Sequence, residues 1–173
     1  MRDREATAYD AAIRMLGRRD HFRSELGDKL RRKGYDRAEI EQALEKCAER
    51  GLINDEAIAA RFVEAKATRR GWGRRRLESE LIRRGVDRGL VRSAARQAPE
   101  ESAAALATAL RQAERRAPAT WWRLHRARAR MVSSLLSRGF ATGDAVAAVN
   151  ELAAERERQH AGDDEPGDPL SLP

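Results

Sequence analysis

The sequence predicts an all-α protein of three tandem three-helix repeats, about nine helices in an elongated, curved array with a disordered acidic tail. Three observations predict it. Ala, Leu, Arg and Glu dominate, aromatics are 5% and β-branched residues are sparse, a composition that favours helix over sheet. One pattern, two apolar residues four apart and then a Gly four residues on, occurs three times. Each copy also carries residue types that close one helix, and in two copies an Asp that opens the next.

The first repeat spans 1–53. A helix is expected over about 3–18, followed by Leu26-x3-Leu30-x3-Gly34-Tyr35-Asp36, with Ile40 and Leu44 beyond. Residues four apart share one helix face. Arg31, Arg32 and Lys33 sit where the macrodipole favours cations, and Gly34 lets the chain turn through a left-handed conformation. Asp36-x-x-Glu39 is a variant of the capping box. Cys47 falls four and seven residues after Ala43 and Ile40, on the apolar face, and reads as buried filler. His21, beside Asp20 at a helix start, reads as a capping or solvated residue.

The second repeat spans 54–98, with a helix over 55–70 and then Leu77-x3-Leu81-x3-Gly85-Val86-Asp87, Val91 and Ala95, fifty-one residues after the first copy. The third spans 99–160. It opens with a helix over 100–116 after Pro99. Met131-x3-Leu135-x3-Gly139-Phe140 follows fifty-four residues after the second copy, with Val146 and Val149 beyond and no capping Asp. Pro118 and Thr120 break and restart its helices. At 100° per residue, Trp121, Leu124, Ala127, Met131 and Leu135 gather into one core stripe. Units of roughly 50 residues have thin cores, so stacking on neighbours should supply part of their stability. Residues 161–173 form the acidic tail: Asp163-Asp164-Glu165-Pro166-Gly167-Asp168-Pro169 offers too little apolar surface to offset ordering entropy.

The charge is uneven. The chain carries +7, and 31 of its 35 cations are Arg. Genomic base composition can raise Arg over Lys, and Arg also offers a planar fork for carboxylates, phosphates and aromatic rings. Placement says more than the count. Residues 66–96 hold eleven cations against three acids, and residues 115–138 hold seven Arg and no acid. Arg69, Arg70, Trp72, Arg74, Arg75 and Arg76 crowd a helix start, against the macrodipole and against one another, which points to a partner for the cluster. Arg76 and Arg84 each lie four residues from Glu80 and are candidates for intrahelical ion pairs. Arg83 belongs to the same basic region. On the face opposite the stripe, Trp122 should sit with Arg123, Arg126 and Arg130. Two readings are open there: Arg stems covering an indole, or an aromatic and basic surface for DNA or an acidic protein.

Catalytic signatures fail. His21, His125 and His160 are far apart, none has a Cys or carboxylate at metal-ligand spacing, and no H-E-x-x-H, C-x-x-C, G-x-S-x-G or phosphate-loop motif occurs. Gly71-Trp72-Gly73 has no strand before it. No enzyme, metal or cofactor is expected. A single cysteine excludes an intramolecular disulfide and fits a reducing, cytoplasmic setting; no apolar run is long enough for a membrane span, and nothing demands more than a monomer.

Glu49-Arg50-Gly51-Leu52-Ile53-Asn54-Asp55-Glu56, then Ala60-Arg61-Phe62-Val63, Gly73 through Leu77, Glu80-Leu81 and Gly85-Val86-Asp87 resemble the RecX regulatory proteins of bacteria. The stretch from Leu16 through Arg19, Phe22, Glu25-Leu26 and Leu30 to Gly34 is similar as well. The resemblance covers about residues 8–154 and weakens in the third repeat, and Ala57-Ile58 stands where the family often has a basic residue and a large aromatic. It implies a non-enzymatic modulator of the RecA recombinase that lodges along the groove of the RecA–DNA filament. Such a protein limits filament growth, ATP hydrolysis, strand exchange and repressor self-cleavage. It carries over no compact residue motif, so the contact residues above rest on charge placement alone. Direct DNA binding through helix-turn-helix-like units is the alternative, although the basic helices hold few of the Asn and Gln residues that read bases.

Overall fold

A computed structural model describes residues 7–96 and 99–161. Among them are nine α-helices and no strand: α1 Ala8–Leu16, α2 Arg23–Arg32, α3 Arg37–Glu49, α4 Asp55–Arg70, α5 Arg74–Arg83, α6 Arg88–Arg96, α7 Pro99–Glu114, α8 His125–Ser137 and α9 Thr142–Ala161, with a 3-10 turn at Trp121–Arg123. Of the disordered tail expected over 161–173, Ala161 is the last residue of α9 and the rest lies outside the described residues.

Each repeat closes its middle helix in the same way. Tyr35, Val86 and Phe140 donate their backbone N–H groups back to the carbonyls of Leu30, Leu81 and Leu135. The glycine before each of these donors has positive φ: 91° at Gly34, 74° at Gly85 and 89° at Gly139. Those are Schellman closures, and they satisfy carbonyls that the helix end would otherwise orphan. The caps follow. Asp36 and Glu39 form the reciprocal capping box, and Asp87 Oδ1 accepts from the N–H groups of Gly89 and Leu90. Thr7 with Asp10 makes a further capping box at the start of α1, and the expected helical residues before Thr7 lie outside the described residues.

The buried side chains fall into two clusters. Leu26, Leu30, Ile40, Leu44 and Cys47 fill the first, with α1 and α2 laid on α3. The second runs continuously through the other six helices. It is continuous because α4 and α7 meet along small residues, Ala59, Val63 and Ala67 facing the other helix's Ala105, Ala109 and Ala113. Small side chains at every fourth position let two backbones come close, and Gly71 at the end of α4 sits directly on the backbone of Ala109.

Three apolar assignments are corrected. Trp121–Arg123 is a 3-10 turn and Leu124 is extended (φ −107°, ψ 108°), so helical phase starts afresh at His125. Leu124 is therefore 45% exposed, although the stripe extrapolated from Trp121 would bury it. Trp122 goes the other way: it is buried, edge-on to Trp121 at 6.3 Å and to His160 at 4.6 Å. In α9, Ala145 is buried and Val146 exposed, which keeps the fifty-four-residue spacing from Val91 and Ala95 to Ala145 and Val149.

Candidate functional site

The unit junctions place the arginines. The first turn of α5 has no side-chain cap and no acid, as its sequence implies. Its free N–H groups instead meet the end of α8. Gly73 N donates to Arg138 O at 2.7 Å and Arg75 N to Gly139 O at 3.3 Å. The negative end of one helix thus abuts the positive end of another, and Arg76 Nη1 adds a hydrogen bond to Ser137 O at 3.0 Å. The crowding that the sequence assigns to an outside partner is relieved in part inside the fold. The same junction recurs one unit earlier, where Arg23 N donates to Asp55 Oδ1 and Ser24 Oγ to Arg84 O.

Trp72, half-buried, packs edge-on to Phe62 at 6.2 Å, with the Arg76 guanidinium 4.4 Å and the Lys66 ammonium 5.4 Å from its ring centre. These cation–π contacts lock the α4–α5 corner. Arg76 therefore stacks on Trp72 and does not pair with Glu80. Glu80 is taken by Arg83 at 2.8 Å and Arg84 at 3.0 Å, and Arg84 also bridges to Glu25 of the first unit at 3.2 Å. Arg74 pairs with Glu78 at 2.7 Å. Among the described residues, the side chains of Arg69, Arg70, Arg75, Arg123, Arg126 and Arg130 have no carboxylate partner, and all six are exposed. The eleven predicted residues thus divide: those six face solvent unpaired, Trp72, Arg74, Arg76 and Arg83 are engaged internally, and Trp122 is core.

Sequence reasoning missed Arg116 and Arg138. Burial, with Arg116 and Arg76 nearby, pulls the Arg138 pKa below its usual value, and its guanidinium donates to Ser134 and to Gln112 Oε1 rather than to any acid. The acid-free run 115–138 was the available signal. His21 is corrected from a cap to a core residue, 2% exposed, its Nδ1 3.5 Å from Glu25 Oε2, too long for a sound hydrogen bond. Cys47 is buried, and burial pushes its thiol pKa up. No group of three or more His, Cys, Asp or Glu among the described residues could hold a metal ion. Nor is any helix there long and apolar enough to cross a membrane.

The fold and surface define a helical-repeat protein whose packed units carry exposed arginines without carboxylate partners among the described residues. Residues 8–47 match the family model for the first three-helix domain of RecX, and residues 54–94 that for the second. The regulatory protein RecX of Chlorobium phaeobacteroides (strain BS1) is 38% identical over 79 residues, 46% of this chain and 52% of the relative. That of Halorhodospira halophila is 44% identical over 77 residues, 44% and 47% of the two chains. The crystal structure of RecX from Lactobacillus salivarius superposes with a TM-score of 0.71 at 21% identity, covering 86% of this chain and 95% of that one. This chain belongs to the RecX family. Its matching segment spans about half the length of these curated relatives.

Proposed function

We propose that this chain is a non-enzymatic regulator that binds the RecA–DNA filament and inhibits its extension, and with it ATPase, strand exchange and coprotease activity, thereby modulating recombination, repair and the SOS response. It acts in the cytoplasm as a monomer, through units near 1–53, 54–98 and 99–160. The observation that carries the reading is six exposed arginines on the second and third units, Arg69, Arg70, Arg75, Arg123, Arg126 and Arg130, with no carboxylate partner among the described residues. Guanidiniums held in solvent without acids suit phosphates or carboxylates on a large partner. Trp72, Arg74, Arg76 and Arg83 belong to the same basic region but are tied to neighbours within the chain, and Trp122 is buried in the third unit.

RecA ATPase on single-stranded DNA, titrated with this protein at two salt concentrations, tests the proposal. Inhibition at protein concentrations well below those that coat bare DNA supports it. Equal affinity for bare duplex and filament, with a steep salt slope, would replace it with direct DNA binding.

A further inference from the structure

We propose that a cavity in the third unit is the docking site of residues 163–172 of the same chain. The cavity, about 210 Å³, lies between the end of α7 and the middle of α8. Ala117, Pro118 and Met131 give it an apolar floor, and Arg116 and Arg130 stand at its rim. Neither rim arginine has a carboxylate partner among the described residues. An apolar floor with a cationic rim suits an aliphatic side chain flanked by carboxylates. A nucleic-acid phosphate would use the rim and leave the floor idle.

The sequence beyond α9 has that chemistry. Asp163-Asp164-Glu165 and Asp168 precede Leu170 and Leu172. The structure delivers the chain to the right place. Arg156 of α9 pairs with Glu114 at the end of α7, 2.7 Å away, Glu157 pairs with Arg128 at 2.7 Å, and His160 packs edge-on to Trp122. Ala161 therefore ends α9 at the same end of the unit as Ala117 and the first turn of α8. From Ala161 to Leu170 the chain reaches up to about 30 Å, while the Glu157 pairing holds α9 at Arg128, close in sequence to Arg130 on α8. Docking costs the segment conformational entropy, and one buried leucine with two or three carboxylate–Arg contacts offsets it. While docked, the segment neutralises the Arg116, Arg126 and Arg130 face. The inference does not rest on the filament reading.

Disulfide trapping in the full chain, on a Cys47→Ala background, tests it. Ala117→Cys is paired with Leu170→Cys, and Ala129→Cys, exposed on the far side of α8, with Leu170→Cys is the reach control. Pro118→Cys reads the same contact should Ala117→Cys lose helical circular dichroism. The cavity pair should close about tenfold or more faster than the control at low salt, because docking raises its effective concentration. That advantage should vanish in about 1 M salt, where the Debye length is about 3 Å, and on Arg116→Gln with Arg130→Gln. Equal rates for the two pairs overturn the proposal. So does protection of the Ala117→Cys thiol from maleimide by an oligothymidylate without any advantage for the cavity pair, which would make the cavity a nucleic-acid site.

Discussion

His21, just ahead of α2, is 2% exposed, with its Nδ1 3.5 Å from Glu25 Oε2. Burial holds its pKa below 6.5, with Arg19 and Lys29 acting in the same direction and Glu25 against. Burial thus disfavours the charged ring in the fold. Below pH 6.5 the unfolded chain binds a proton that the folded chain refuses, so stability falls as pH drops from about 6.5 toward the folded pKa and then levels. Urea melts at pH 7 and pH 5 should show a smaller acid-side loss for His21→Leu than for the wild type; identical losses would assign the slope to other groups. Glu114 does not blur this window. The Arg156 hydrogen bonds hold its carboxyl below the usual value of 4.5, so its contribution is lost only at more acid pH. A second residue-scale test uses Gly139, whose φ is 89° and whose missing Cβ leaves room for the backbone of Arg76. Gly139→Ala should cost at least about 1–2 kcal/mol from the left-handed conformation alone, with added loss from the displaced α5 junction. A thermal melt checks it.

At the scale of elements, the repeat spacing made the fold legible. Leu26, Leu77 and Met131 with the three glycines identify equivalent helices because burial of i and i+4 and a left-handed closure are both local demands. What the spacing hid was the junction. The end of α8 caps the start of α5 through backbone groups, which carry no side-chain signature, so the arginines at 74–76 looked more exposed to one another than they are. The extended Leu124 was hidden for a related reason: a single non-helical residue resets the phase of the stripe, and its composition does not announce it. The candidate site was legible as a charge distribution and not as a set of free side chains, since Glu78 and Glu80 choose their partners by packing. Helix phase has a direct test on α5. Leu81 is wholly buried and Ile82 is 46% exposed. Leu81→Ala should destabilise by about 2–5 kcal/mol, and Ile82→Ala by no more than about 0.5 kcal/mol. Similar losses in chemical denaturation would mean α5 is rotated.

For the whole molecule, two cores joined by buried Phe22 and by ion pairs and hydrogen bonds imply two kinds of arginine. Arg84 ties the first unit's Glu25 to the second unit's Glu80, and Arg76 ties α5 to Ser137, so reversing either charge attacks the architecture. Arg75, Arg123 and Arg126 tie nothing among the described residues through their side chains. A charge-reversal series therefore separates scaffold from surface. Reversing Arg74, Arg75 and Arg76 together would confound the two, because Arg74 and Arg76 hold Glu78, Trp72 and the α8 end. Arg75→Glu with Arg123→Glu and Arg126→Glu should leave helical circular dichroism and the melting temperature within a few degrees of wild type. It should weaken inhibition of RecA ATPase at least about tenfold, since each lost charge-assisted contact is worth about 1.5 kcal/mol or more. Arg76→Glu should instead lower the melting temperature. Inhibition retained by the triple variant with an intact fold would move the contact surface away from these arginines, toward the first unit.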